Sequence, residues 1–288
     1  MRSKLFVPGS RPELFAKALA SEADAISLDL EDAVVEDRKA EARAQVADFL
    51  RSDAARNSGK ELVVRVNAPG TPHFEADVRA VAVQGLDLLN LPKCESAESV
   101  RLAVSALAAA EAANGVTRPA RILATIESPR GLRLAAMIGA SDPRVAGLQV
   151  GYLDLFEPLG IDRRDDAAVH AVMFAVRMAA GEAGVFACDG AFADVKDAEG
   201  FRAEAEMARR LGFSGKSCIH PAQVPVANKV FCPGAEEIAR ALRVLAAAEQ
   251  ARAQGRGAFA VDGEMIDAPA IRRAEAVVAI SRRLASAR

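Results

Sequence analysis

Eight short apolar or β-branched runs recur along the chain at intervals of roughly 25 to 40 residues, each followed by turn residues and an Ala-rich stretch of helical spacing. They are Lys4–Pro8, Ala25–Glu31, Leu62–Asn67, Leu86–Pro92, Ile122–Glu127, Gly147–Asp154, Val185–Asp189 and Lys216–His220. Within them apolar residues run mostly continuously instead of alternating, as they must in parallel strands buried on both faces by helices. Eight strands alternating with helices predict an α/β fold of the (β/α)8 (TIM) barrel type, since a doubly wound sheet more often has about five to seven strands. The 288 residues accommodate one such barrel over residues 1–232 and a C-terminal segment, 233–288. That segment reads as a helix from about Ala235 to Gln254, a loop and a final helix. A closed barrel does not need it, so it must pack elsewhere.

Local signals support the alternation. Ser10-Arg11-Pro12-Glu13 has the form of a capping box ahead of the apolar stripe Leu14, Phe15, Ala18 and Leu19. Gly115, Gly181 and Gly212 each follow a helical pattern and read as stops. The net charge is -2, there is no Trp and one Tyr, and no basic block occurs, which removes the usual footprint of nucleic-acid binding. The expected partner is a small molecule. Cys94, Cys188, Cys218 and Cys232 show no C-x-x-C spacing, so neither a zinc knuckle nor a redox dithiol is signalled. With no secretory leader pattern and no apolar run of about 18 residues, the expectation is a cytoplasmic protein with no membrane segment.

Active sites of such barrels lie at the C-terminal ends of the strands. There the sequence gathers Asp29, Glu31 and Asp32 after the second strand, Arg65 and Asn67 at the third, and Lys93 at the fourth. Glu127, Asp154, Asp189 and His220 end the remaining four. Carboxylates partly buried in a barrel mouth need a cation, either a metal ion or a basic side chain. Glu127 and Asp154 end adjacent strands, so the pair can share one hard divalent cation, with a structural ion pair as the alternative. Glu31 and Asp32 are read as orienting metal-bound waters, with helix capping as their alternative role. Arg65, flanked by Val63, Val64 and Val66, is either a clamp on a substrate oxygen or the partner of the carboxylates, and the roles are compatible. His220 is a candidate acid, base or substrate contact, or else a structural histidine. In Gly212-Phe213-Ser214-Gly215-Lys216, backbone amides and Lys216 are candidates to hold a phosphate, although the spacing is not that of a P-loop.

The segments LFVPGSRPELFAKAL, DLEDAV, VVRVNAPGT, LPKCESAESV, ATIESPRGL, GYLDLFEPLG, GFSGKSCIHPAQV and VDGEMIDAP occur in this order between residues 5 and 269. In combination they resemble the citrate lyase β-subunit-like group of the HpcH/HpaI aldolase superfamily. The resemblance implies a metal-dependent barrel that cleaves or forms a carbon–carbon bond beside a thioester, with malyl-, citramalyl- or citryl-CoA as typical substrates. The implied cofactor is Mg²⁺, with Mn²⁺ as the alternative ion, held by Glu127 and Asp154. Arg65 matches the arginine at the reacting oxygen, and Arg11 a position near the CoA phosphates or the substrate mouth. Asp267 matches an acid–base aspartate that reaches a neighbouring subunit's site, which implies a C-terminal segment swapped within a homotrimer or a dimer of trimers.

One segment departs from the pattern. GYLDLFEPLG replaces the commoner G-A-E-D-L-x-x-D-L-G, so that Leu153 and Pro158 stand where the group has acids, with Glu157 as the nearby candidate replacement. The substrate acid is therefore open. Three other functions fit the same resemblance: a CoA-independent metal-dependent pyruvate aldolase, a citrate lyase β subunit using an acyl-carrier thioester, and a non-catalytic CoA-thioester-binding protein.

Overall fold

In the computed structural model, which describes residues 1–286, the eight expected runs are eight parallel strands. They are β1 (Ser3–Pro8), β2 (Ala25–Asp29), β3 (Glu61–Arg65), β4 (Leu88–Leu91), β5 (Arg121–Ile126), β6 (Val145–Val150), β7 (Phe186–Asp189) and β8 (Gly215–Cys218). Each pairs with its sequence neighbour and β1 pairs with β8, closing the barrel in strand order. The outer core is made where helices such as Lys39–Arg51, Ala97–Ala113, Asp166–Ala183 and Ala198–Arg210 lay apolar faces on the strands.

The lumen is less apolar than the strand sequences suggest. Its floor is Ala25, Val63, Leu88 and Leu123. Lys4 Nζ donates to Gln149 Oε1, and because β1 and β6 are not neighbours this bond crosses the interior. Thr125 Oγ1 donates to Asn90 Oδ1 at 2.8 Å. Burial lowers the Lys4 ammonium pKa to about 8. Side chains alternate in and out along a strand, so these polar groups occupy inward positions between the apolar floor and the mouth.

Several local expectations are corrected. No capping box forms at Ser10: the residues Pro12–Leu14 make a 3₁₀ turn with Arg11 at its N-cap and no side-chain cap, and Glu13 pairs with Arg11 at 2.9 Å. Pro12 at the first helical position supplies the start instead. Gly181 lies inside the helix Asp166–Ala183, which ends on Gly184 at φ +71°. Strands β2, β6 and β8 stop two, four and two residues short of the expected ends, at Asp29, Val150 and Cys218.

The chain divides into two compact units, Met1–Phe231 and the segment from Cys232 onward. The second contains the helices Ala235–Ala253 and Ala268–Ser286 and, in place of the expected loop, an antiparallel hairpin of β9 (Phe259–Val261) and β10 (Glu264–Ile266). Its own core is Ala241, Val244, Val261, Ile266, Ala274 and Val278. The last two residues of the expected segment 233–288 lie outside the described residues. Among the described residues no helix is long and apolar enough to cross a membrane.

Candidate active site

At the carboxyl ends of the strands a cavity of about 430 Å³ is lined by Phe6, Asp29, Asp32, Arg65, Thr125, Glu127, Gln149, Tyr152, Leu153, Asp154 and Ile219, among others. Arg65 is its fixed point. The Nε and Nη2 atoms donate to the two oxygens of buried Asp29 at 2.7 and 2.6 Å, a bidentate fork that sets the guanidinium plane. Nη1 lies 2.9 Å from Glu31 and 3.5 Å from Asp32. Asp29 is itself oriented by the amides of Glu31 and Ala33. Burial pushes the Asp29 carboxyl up, but the Arg65 hydrogen bonds and charge outweigh it and hold the pKa below its ordinary value.

Lys93 has a positive φ of 52°, a conformation that costs a non-glycine residue energy and is found where function demands it. That geometry aims two groups of one residue in useful directions. Its amide donates to Glu127 Oε1, while Nζ reaches Glu31 at 2.7 Å and Asp32 at 3.5 Å. Lys93 thus belongs to the site, although Lys93 carried no assigned role in the sequence. The φ value could not be read from sequence, but a Lys directly after Pro92, the residue that follows β4, is a usable clue.

Glu127 is 4% exposed. Burial pushes its carboxyl pKa up to about 8, the Lys93 amide opposes the rise, and the negative charges of Glu31 and Asp154 add to it. Glu31 is also raised by burial against the pull of Arg65 and Lys93. Asp154 is exposed in the first turn of the short helix Tyr152–Phe156, four residues beyond the end of β6. Gly151, at the junction, has no room for a Cβ, which would strike the Glu127 carboxylate. Around one cavity there are thus five carboxylates (Asp29, Glu31, Asp32, Glu127, Asp154) and two cations (Arg65, Lys93).

This donor set fits a hard divalent cation. Glu127 and Asp154 offer oxygen ligands to the same cavity, and Mg²⁺ is commonly held by one or two carboxylates plus water and substrate. Among the described residues no group of three or more His, Cys, Asp or Glu side chains converges as a metal cage, so any ion here rests on two.

Lys216 is elsewhere, and its assignment to a phosphate is corrected. It is fully buried, with Nζ donating to Asp189 at 2.6 Å, Glu204 at 2.6 Å and the Gly190 carbonyl at 3.0 Å, so all three ammonium protons are committed. Glu157 does not line the cavity; it borders a separate hollow with Arg163, Arg164 and Asp194. His220 is exposed in the turn after β8, its Nδ1 accepting from the Ala222 amide at 3.2 Å. Arg11 is exposed beside the end of β1 and paired with Glu13. Asp267 lies in the C-terminal unit, exposed at the start of the final helix, with Oδ1 3.4 Å from the Ala270 amide.

Residues 2–221 match the HpcH/HpaI aldolase/citrate lyase family. An L-malyl-CoA/beta-methylmalyl-CoA lyase of Cereibacter sphaeroides is 36% identical over 299 residues, covering 96% of this chain and 93% of that relative. A citrate lyase subunit beta-like protein of Mycobacterium tuberculosis is 40% identical over 281 residues, covering 95% and 93%. Among solved structures, the CitE protein of Mycobacterium tuberculosis in complex with magnesium, acetoacetate and coenzyme A superposes with a TM-score of 0.77 at 36% identity, covering 98% of this chain and 100% of that one.

Proposed function

Because the chain belongs to the HpcH/HpaI aldolase/citrate lyase family and is a lyase, we propose that it catalyses a magnesium-dependent carbon–carbon cleavage. The substrate is a 3-hydroxyacyl-CoA thioester, split into acetyl-CoA and a 2-oxo acid or formed from them. The observation that carries this reading is the pairing of Glu127 and Asp154 on one cavity at the mouth, where burial, with the charges of Glu31 and Asp154 adding to it, pushes Glu127 up to about 8. The malyl-CoA lyase relative and the neighbour holding magnesium and coenzyme A support the same chemistry.

Glu127 and Asp154 would hold the ion, with Glu31 and Asp32 orienting its waters. When bound, Mg²⁺ supplies Lewis-acid polarisation of the substrate oxygens that change charge. Arg65, locked by Asp29, presents its remaining N–H donors to the hydroxyl oxygen that becomes the carbonyl of the 2-oxo acid. In cleavage that hydroxyl loses its proton, the C2–C3 bond breaks, and its electron pair passes to the acetyl thioester as an enolate. A proton must then reach the enolate carbon. Asp267 is the proposed donor, supplied by the C-terminal unit of another copy within a homotrimer or a dimer of trimers. Arg11 and His220, exposed at the ends of β1 and β8, are the proposed contacts for the thioester's phosphates and acyl arm.

The cavity favours some acids over others. Among its described lining residues Arg65 is the sole cation, and Phe6, Pro8, Ala33, Val150, Leu153, Ala191 and Ile219 form an apolar wall. A 2-oxo acid with one carboxylate, such as glyoxylate or pyruvate, matches that wall. The second free carboxylate of oxaloacetate would have to compete for Lys93, which Glu31 and Asp32 already hold, an expensive state in a partly buried site.

The test is release of 2-oxo acid by the purified protein with Mg²⁺ from malyl-, citramalyl- and citryl-CoA. Turnover of the first two, with citryl-CoA slowest, is expected. Cleavage of a free 4-hydroxy-2-oxo acid with no thioester turned over would establish the CoA-independent aldolase instead. Turnover confined to an acyl-carrier thioester would indicate a citrate lyase subunit, and CoA-thioester binding without turnover a non-catalytic protein.

A further inference from the structure

Tyr152 stands two residues before Asp154 and is buried, though its edge lines the same cavity. Its hydroxyl donates to Asp189 Oδ1 at 2.7 Å. The other Asp189 oxygen accepts from Lys216 at 2.6 Å, and Lys216 donates in turn to Glu204. Glu204 receives a bidentate pair of 2.8 Å bonds from Arg163, whose guanidinium lies 4.2 Å from the centre of the Tyr152 ring. The circuit closes on the residue where it began. On the ring's other contact, a Cβ on Gly190 would sit 2.7 Å from Tyr152 Cδ2, so the backbone after β7 is shaped to admit the ring.

The helix Tyr152–Phe156 is five residues long, too short to hold its own conformation in water. Its place depends on what its buried residues grip. Leu155 and Phe156 are apolar anchors, which fix depth; Tyr152 is the one anchor with directional bonds, which fix rotation about the helix axis. A rotation there would swing exposed Asp154 relative to Glu127. Nothing in the proposed reaction uses Asp189, Lys216, Glu204 or Arg163, yet Asp189 and Arg163, joined through Lys216 and Glu204, both close on the element that carries Asp154.

We infer that Tyr152 is a positioning residue for the metal site, held by the Asp189–Lys216–Glu204–Arg163 circuit so that Asp154 faces Glu127 across the cavity. The inference rests on the reading of the mouth as a Mg²⁺ site. Partners that orient metal ligands typically contribute about 10- to 100-fold in metal affinity.

The experiment is direct metal binding, by Mn²⁺ paramagnetic resonance and Mg²⁺ calorimetry, on wild type, Tyr152→Phe and Glu127→Gln, with thermal melting of each. Tyr152→Phe removes one hydroxyl and keeps the ring. It is expected to bind metal about tenfold more weakly, and in the thioester assay its deficit should appear as a raised KM for metal that shrinks as metal is added. Wild-type metal affinity in Tyr152→Phe, whatever its melting temperature, overturns the inference. Should that variant not fold, Arg163→Lys, which keeps the charge but loses the bidentate fork, is read the same way: weaker metal binding supports the circuit, and unchanged binding overturns it. Equal binding by wild type and Glu127→Gln, or none by either, instead overturns the metal site itself and the inference with it.

Discussion

On one side of the barrel mouth Asp29, Glu31, Asp32, Glu127 and Asp154 share two cations, Arg65 and Lys93. On the other, Asp189 and Glu204 face Lys216 and Arg163, two against two. Both clusters are built from strand-end and helix residues of the same chemical types, and they differ in charge balance and in access. The balanced cluster is largely buried. Burial raises the Asp189 carboxyl while Lys216 opposes the rise; Glu204 is held low by Lys216 and Arg163 against the same burial. Ions so placed are costly to desolvate and contribute mainly by fixing one arrangement. The unbalanced cluster opens on a cavity, and its surplus negative charge is what a divalent cation would neutralise. A strand-end carboxylate therefore becomes chemistry or scaffold according to whether the protein supplies its counter-charge.

Breaking each side should have different consequences. The largest effect is expected from Glu127→Gln, which keeps the shape of the side chain and removes a charge. The thioester assay should fall on the order of a thousandfold or more, since polarisation by a bound ion supplies several kcal/mol, while the melting temperature is kept. Lys216→Met acts on the other side, leaving Asp189 and Glu204 buried beside an apolar chain. Stability should drop by about 3 to 5 kcal/mol, read by denaturant unfolding, because removing one partner of a buried pair strands the other charge. Arg65→Lys loses the fork on Asp29 and the aimed donors, and kcat should fall by about 10² to 10³ at unchanged metal affinity.

The smallest effect sharpens the contrast by pH. Glu127 in the folded, metal-free protein keeps its proton up to about 8, whereas in the unfolded chain it loses it near the ordinary carboxyl value. The native state thus binds more protons between these limits, and its stability must fall as pH rises through that window. With chelator present the melting temperature should decline toward pH 8 by several degrees; added Mg²⁺ should reverse the decline, most strongly at the alkaline end. A flat profile in both conditions would mean that Glu127 takes up no proton on folding and would remove the contrast in charge balance.

The barrel was legible because both-face burial writes continuous apolar runs, and residues at the ends of those runs, Asp29, Arg65, Glu127 and Asp154, could be assigned to the mouth. Where each strand stops was not legible. Gly151 turns the chain into the short helix because Glu127, distant in sequence, fills the space a Cβ would need. Lys216 was misassigned for a similar reason: a Gly-rich approach to a Lys resembles a phosphate loop locally, and its true partners come from β7 and the helix Ala198–Arg210. One clue existed, since Glu204 sits on the stripe of Phe201, Ala205 and Ala208, where a buried acid requires a cation. The hairpin of the C-terminal unit was also available to reading. Asp262-Gly263, both at positive φ, is the Asp-Gly turn between short apolar strands. The lumen's polar layer, with Lys4 bonded to Gln149, could not be inferred from β1 alone, because its partner lies 145 residues away.

The claim that matters most is that the unbalanced cluster holds the metal. Calorimetric titration of Mg²⁺ into metal-stripped protein tests it most directly, with wild type, Glu127→Gln and Asp154→Asn compared at one pH. One ion per chain in wild type and none in either variant is the predicted result. Mg²⁺ binding that survives both substitutions would contradict it.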